Sequence, residues 1–112
     1  MITVQNLRDF GADVDDGLSR CMNNEAFYLR LVGMALSDGN FDKLKTAVEA
    51  GDLDAGFEAS HALKGILANL SLTPLQKVAS EMCEYLRSRT QMDYAPMLEE
   101  LLSKREELQK LA

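Results

Sequence analysis

The chain has no tryptophan, one histidine, two prolines and two cysteines among its 112 residues, and each scarcity narrows what it can be. Cys21 and Cys83 lie far apart, outside any Cys-x-x-Cys spacing and with a lone histidine between them. Neither a zinc site nor a dense disulfide framework is suggested, and reduced thiols in a cytoplasmic protein are the expectation. No basic block offsets the formal charge of −6, which argues against a partner made of nucleic acid. The acidic surface serves either solubility or the choice of docking partners. No apolar run approaches the roughly 18 residues of a membrane span, and the start, MITVQNLRDF, has neither a basic n-region nor a continuous apolar h-region. A glycine-rich phosphate loop, paired histidines and a metal-ligand cluster are all missing, so nothing points to an enzyme with its own turnover.

What is present is helical periodicity. Hydrophobic residues make up 46% of the chain, enough for one core and too few for two, so residues 1–112 read as a single domain. Thr3 caps a short helix with Val4 and Leu7 on one side, closed by Phe10 and Gly11. Asp13 offers the cap of a second short helix whose inward stripe is Val14, Leu18, Cys21 and Met22, interrupted by Asn23-Asn24. From Glu25 to about Ser37 the apolar residues Tyr28, Leu29, Leu31, Val32, Met34, Ala35 and Leu36 leave little room for a polar face, and this helix is expected to be largely enclosed.

Asp38-Gly39-Asn40 stops it, and Phe41, Leu44, Ala47 and Val48 restart the period until Gly51. After Ser71, Thr73-Pro74-Leu75-Gln76 reads as a capping box with proline at the first helical position. Leu75, Val78, Ala79, Met82 and Leu86 form the stripe of the helix that follows. Asp93 is the expected cap of the last helix, with Met97, Leu98, Leu101, Leu102 and Leu108 facing inward and Lys104 to Gln109 read as a solvated face. The expected fold is all-α: an antiparallel up-and-down four-helix bundle, core about 25–110, with one or two short N-terminal helices packed on it.

The stretch DAGFEASHALKGILANLS, Asp54 to Ser71, holds the single histidine, His61. Asp52 or Asp54 caps it, and its acidic start suits the positive end of the helix dipole. At about 100° per residue, Ala59, Leu63, Ile66, Leu67 and Leu70 line one side, while His61, Lys64, Gly65 and Ala68 occupy the other. A histidine that only filled space would sit on the apolar stripe; this one points to solvent. Gly65, at i+4, weakens the helix by about 1 kcal/mol relative to alanine. Its bare backbone serves either tight packing or the close approach of another molecule. Phe57 lies one turn earlier and only about 40° from His61, where it either anchors a docked partner or tucks against a neighbouring helix.

The run His61-Ala62-Leu63-Lys64-Gly65, followed by Asn69-Leu70, resembles the signature of histidine-containing phosphotransfer (HPt) domains. The resemblance implies a helical bundle whose exposed histidine carries a phosphoryl group between receiver-domain aspartates in a multistep two-component phosphorelay. It implies His61 as phosphoacceptor and donor through its outer ring nitrogen, Lys64 as a compact cation offsetting phosphoryl charge, and Gly65 as the opening for the partner. Phe57 and Ala68 would belong to the partner-binding face. The implied partners are response-regulator receiver domains and a hybrid sensor histidine kinase, acting on a monomer that needs no nucleic acid and no membrane. No intrinsic cofactor is implied, magnesium being carried by the receiver. The alternative is a helical adaptor that only docks a receiver or another signalling protein, with His61 unused.

Three positions depart from the family pattern. Where the family often turns on glycine after Leu70, this chain has Ser71. Where the family's glutamate or glutamine orients the histidine ring, counting along places Cys83, with Glu84 next to it. The two pieces on either side of Asp38-Gly39-Asn40, often one long helix in the family, are expected to be broken here. Asn69 matches the family but falls to the side of the helix, where a structural hydrogen bond is expected of it.

Overall fold

The computed structural model describes residues 1–112. Seven helices follow in order: α1 (Val4–Phe10), α2 (Val14–Arg20), α3 (Glu25–Leu36), α4 (Asn40–Ala50), α5 (Leu53–Asn69), α6 (Thr73–Arg87) and α7 (Ala95–Gln109). There are no strands. Helices α4 to α7 pack in sequence order, and α7 closes back on α4, which is the ring of an up-and-down four-helix bundle joined by short connections. α5 packs most extensively, against α4 on one side and α6 on the other. The family's long helix is indeed broken here: α3 ends at Leu36 and α4 begins at Asn40, where the Asp38 carboxylate accepts from the Asn40 backbone N–H at 2.8 Å.

One continuous cluster forms the core and reaches from Ile2, Leu7 and Val14 to Leu101 and Leu108. Leu63 and Leu67 of α5, Leu75 and Met82 of α6, and Leu44 of α4 are completely enclosed at its centre. The short N-terminal helices are thus part of the packing rather than a trailing arm. α1 opens with a reciprocal Thr3–Asn6 capping box and closes on Gly11, whose φ of 106° needs a residue without Cβ. Asp13 caps α2 through the Asp16 N–H.

The N-terminal helices also grip the far end of α5. Tyr28 is fully enclosed, and its hydroxyl donates to the Leu70 carbonyl at 2.9 Å. Burial pushes its pKa up to about 12. The ring fits because residue 17 is glycine: a Cβ there would stand 2.6 Å from the Tyr28 ring. Ser71, with φ of 55°, occupies the left-handed conformation that glycine would adopt more easily. Two bonds hold it there. Its hydroxyl donates to Asp16, and its carbonyl accepts from the Asp13 N–H at 3.0 Å. The Ser71 hydroxyl and then Arg20 hold the Asp16 carboxyl below the usual carboxylate range.

Several sequence expectations need correction. α3 is not largely enclosed: Tyr28, Val32, Ala35 and Leu36 are buried, but Met34 is 60% and Phe27 46% exposed. The helix lies at the edge of the bundle, against α7 and α2, so no element covers its outer flank. Met22 is 87% exposed because α2 stops at Arg20 and the chain turns through positive φ at Met22 and Asn23. Thr73 does not cap α6. Leu72 is fully buried, its carbonyl accepts from the Leu75 and Gln76 N–H groups, and the Thr73 hydroxyl donates instead to the Ser71 carbonyl. Tyr94, not Asp93, immediately precedes α7, although the Asp93 carboxylate still accepts from the Ala95 N–H at 3.0 Å.

The stretch from Lys104 to Gln109 is more than a solvated face. The Arg105 guanidinium donates to the Leu36 carbonyl at 2.6 Å and lies over the Phe41 ring, and Gln109 donates to the same carbonyl at 3.2 Å. An orphan carbonyl at the end of α3 is thereby satisfied from α7.

Candidate functional site

Asp52, not Asp54, caps α5, its carboxylate accepting from the Ala55 N–H at 3.0 Å. Asp54 sits in the first turn and pairs with Arg89. From that start the inward stripe runs through Ala59, Leu63, Leu67 and Leu70, all buried, while Ile66 is only half-buried. The opposite face is as its spacing requires: His61 and Gly65 are exposed, and Lys64 and Ala68 are half-buried. A Cβ built on Gly65 meets nothing within 4 Å. Tight packing therefore does not explain that glycine, and the space above it is open.

The imidazole is not free-standing. Its ring stacks on Phe57, with centroids 5.6 Å apart and planes 23° from parallel, an offset arrangement within the usual range for aromatic pairs. Phe57, half-buried, has the Arg87 guanidinium 5.2 Å from its own centroid, close enough for a cation–π contact. The Glu84 carboxylate lies 3.6 Å from Arg87 and 3.7 Å from the Lys64 ammonium. His61, Phe57, Arg87, Glu84 and Lys64 thus form one chain of contacts across α5 and α6.

Close approach of these helices makes that possible. A Cβ at Gly56 would come within 3.2 Å of Leu86, so the residues immediately following, Phe57 and Arg87, meet side by side. Cys83 is fully buried, and its thiol is free. The residue to which the resemblance counts for orienting the ring, Cys83, carries a thiol, and Glu84 beside it lies between the two cations. Asn69 is exposed and lines a shallow groove with Leu31, Met34, Ile66 and Leu70, rather than being tied into the structure by a side-chain hydrogen bond.

Arg87 is the residue that sequence reasoning missed. Its i,i+3 spacing from Glu84 marks an ion pair on α6, but its place above Phe57 depends on the α5–α6 approach at Gly56, which no periodicity reveals. The surroundings of His61 combine two cations, an aromatic support and an uncovered backbone position at solvent. They form an accessible nucleophile with charge available for an anionic group, and no group of histidine, cysteine and carboxylate side chains is placed to hold a metal ion. No helix is long and apolar enough to cross a membrane. The family model of the Hpt domain matches residues 34–111. No curated protein and no solved structure matches the chain.

Proposed function

The chain belongs to the Hpt domain family, whose members act in histidine phosphotransfer within two-component signalling and serve as phosphoryl carriers, and from that premise we propose that His61 accepts a phosphoryl group from one receiver-domain aspartate and passes it to another. The observation that carries the proposal is the exposed imidazole one turn from an uncovered glycine. Imidazole near neutral pH needs no dedicated base to act as a nucleophile. The outer ring nitrogen forms the N–P bond as the P–O bond to the aspartate breaks; the aspartate leaves as a carboxylate, and the ring proton stays on the other nitrogen. The return step reverses these bonds. Phosphoryl transfer is chiefly in-line placement and charge neutralisation, and the receiver brings the aspartate and its magnesium ion.

Lys64 is the charge partner in this scheme. It rests against Glu84 and lies one turn from His61, within reach of a phosphoryl group on the ring. Gly65 and Ala68 give the partner its footing, and the groove between α3 and α5, lined by Leu31, Met34 and Ile66, continues that face. We assign the function to the whole of residues 1–112 as one unit, because Leu7, Val14 and Tyr28 share the core that holds α5, and we place its action in the cytoplasm on the family membership alone.

The test is labelling. Incubation with a phosphorylated receiver is expected to yield an acid-labile, alkali-stable phosphoprotein, and His61→Gln is expected to abolish the label with helicity and melting unchanged. Label retained in that variant overturns the assignment. Incorporation from ATP and magnesium alone would show an enzyme instead of a carrier.

A further inference from the structure

We infer that Phe57 is a positioning residue for His61: its ring, steadied by Arg87, holds the imidazole in the pose from which the phosphoryl group is taken and given. The inference rests on the carrier reading and adds the means by which the ring is oriented. An exposed histidine on a helix samples its rotamers on the picosecond-to-nanosecond scale, and each jump moves the reacting nitrogen by ångströms. In-line transfer tolerates little of this, since a displacement of about 1 Å can lower a rate by two orders of magnitude. Something must restrain the ring.

The contact that does so is the stack. Phe57 sits one turn before His61 on the same helix, and the two rings lie 5.6 Å apart at 23°. A nearly parallel neighbour restricts rotation about both side-chain bonds of the histidine while leaving the outer edge, where the reacting nitrogen lies, uncovered. Phe57 is itself restrained. It is half-buried, and the Arg87 guanidinium lies 5.2 Å from its centroid. Arg87 is held in turn by Glu84 at 3.6 Å. No side-chain hydrogen bond holds the imidazole: on α6 the Cys83 thiol is buried, and Glu84 lies between Arg87 and Lys64. An aromatic plane replaces a hydrogen bond as the orienting device.

The arrangement separates two roles for Phe57 that exposure alone would confuse. A docking residue changes how much receiver is needed for half-maximal transfer. A positioning residue changes the rate once the receiver is bound, and it leaves a mark on the free protein.

The experiment uses the full chain and its Phe57→Leu, Phe57→Tyr and Arg87→Met variants. In the free protein, the ring protons of His61 are expected upfield of their ordinary NMR positions because of the Phe57 ring current. Leucine should abolish that displacement, and tyrosine should keep it. In single-turnover transfer from a phosphorylated receiver domain, Phe57→Leu is expected to lower the saturating rate about tenfold, with half-saturation moved less than about twofold. Phe57→Tyr should restore the rate, and Arg87→Met should lower it about threefold. Phosphoramidate, a small donor that needs no docking, should label His61 of the leucine variant to the native extent, showing an intact and reactive histidine. An unchanged saturating rate in Phe57→Leu, or a loss lying wholly in half-saturation, overturns the positioning role; so do undisplaced ring protons in the native chain. If no receiver labels even the native chain, the carrier reading itself fails, an outcome distinct from a loss specific to the leucine variant.

Discussion

The two ends of α5 are secured by different physics. At its N-terminal half, around His61, the restraints are exposed or half-exposed: an aromatic stack, a cation over a ring, and two long ion pairs through Glu84. At its C-terminal end they are directional and reach into the core: the buried bond of the Tyr28 hydroxyl to the Leu70 carbonyl, the Asp13 N–H on the Ser71 carbonyl and the part-buried bond of the Ser71 hydroxyl to Asp16. Surface ion pairs contribute little, whereas a buried acceptor stripped of its donor bears its full desolvation penalty. The fold is anchored where nothing reacts, and the contacts that pose the reactive ring add little to stability.

Substitutions at the two ends should therefore separate stability from transfer. The largest stability effect is expected at Gly17. A Cβ 2.6 Å from the Tyr28 ring must displace it, and the hydroxyl with it, from Leu70. Gly17→Ala should destabilise by about 2–3 kcal/mol, as overpacking of a filled site does. Chemical denaturation at equilibrium measures it, and a midpoint equal to the native one would show that the buried anchor does not constrain the fold.

Tyr28→Phe keeps the ring and removes the donor. A loss of about 1–2 kcal/mol is expected from the unpaired Leu70 carbonyl, with phosphoryl transfer at saturation near the native rate. A large drop in transfer without a drop in stability would reverse the comparison, making the far end the one that controls chemistry.

The smallest stability change, and of opposite sign, is expected at Gly65. Nothing lies within 4 Å of a Cβ there, so Gly65→Ala should stabilise by about 0.5–1 kcal/mol through helix propensity alone. Gly65→Gln should leave a folded bundle, only modestly weakened at most, and block transfer by filling the space above the histidine. Native transfer rates in the glutamine variant would remove the access argument.

Much of this architecture was legible in the residues themselves. The period of α5 puts leucines on one side and His61, Lys64, Gly65 and Ala68 on the other, and the folded chain keeps that division. Aspartate at positions 13 and 52 caps where a short acceptor side chain should. The misreadings share a cause: periodicity reports which residues of a helix are apolar but not whether a neighbour arrives to cover them. Met34 and Phe27 belong to an apolar helix at the bundle's edge and stay in contact with solvent. Thr73 has the chemistry of a cap, but with Leu72 buried the helix starts one residue earlier and takes Thr73 into its first turn. The Arg87–Phe57 contact and the Arg105 donation to Leu36 join residues far apart in sequence, and only the packed helices bring them together.

The double donation to the Leu36 oxygen bears on the order of assembly. Its donors lie 69 and 73 residues further along the chain, so the elbow between α3 and α4 is fully bonded only after nearly the whole polypeptide has closed on itself. Contacts with that much intervening chain form slowly, because loop entropy must be surrendered before they return any energy. In a refolding experiment with pulsed deuterium labelling, amides near residues 36–40 should accordingly gain protection after those in the middle of α5 and α6.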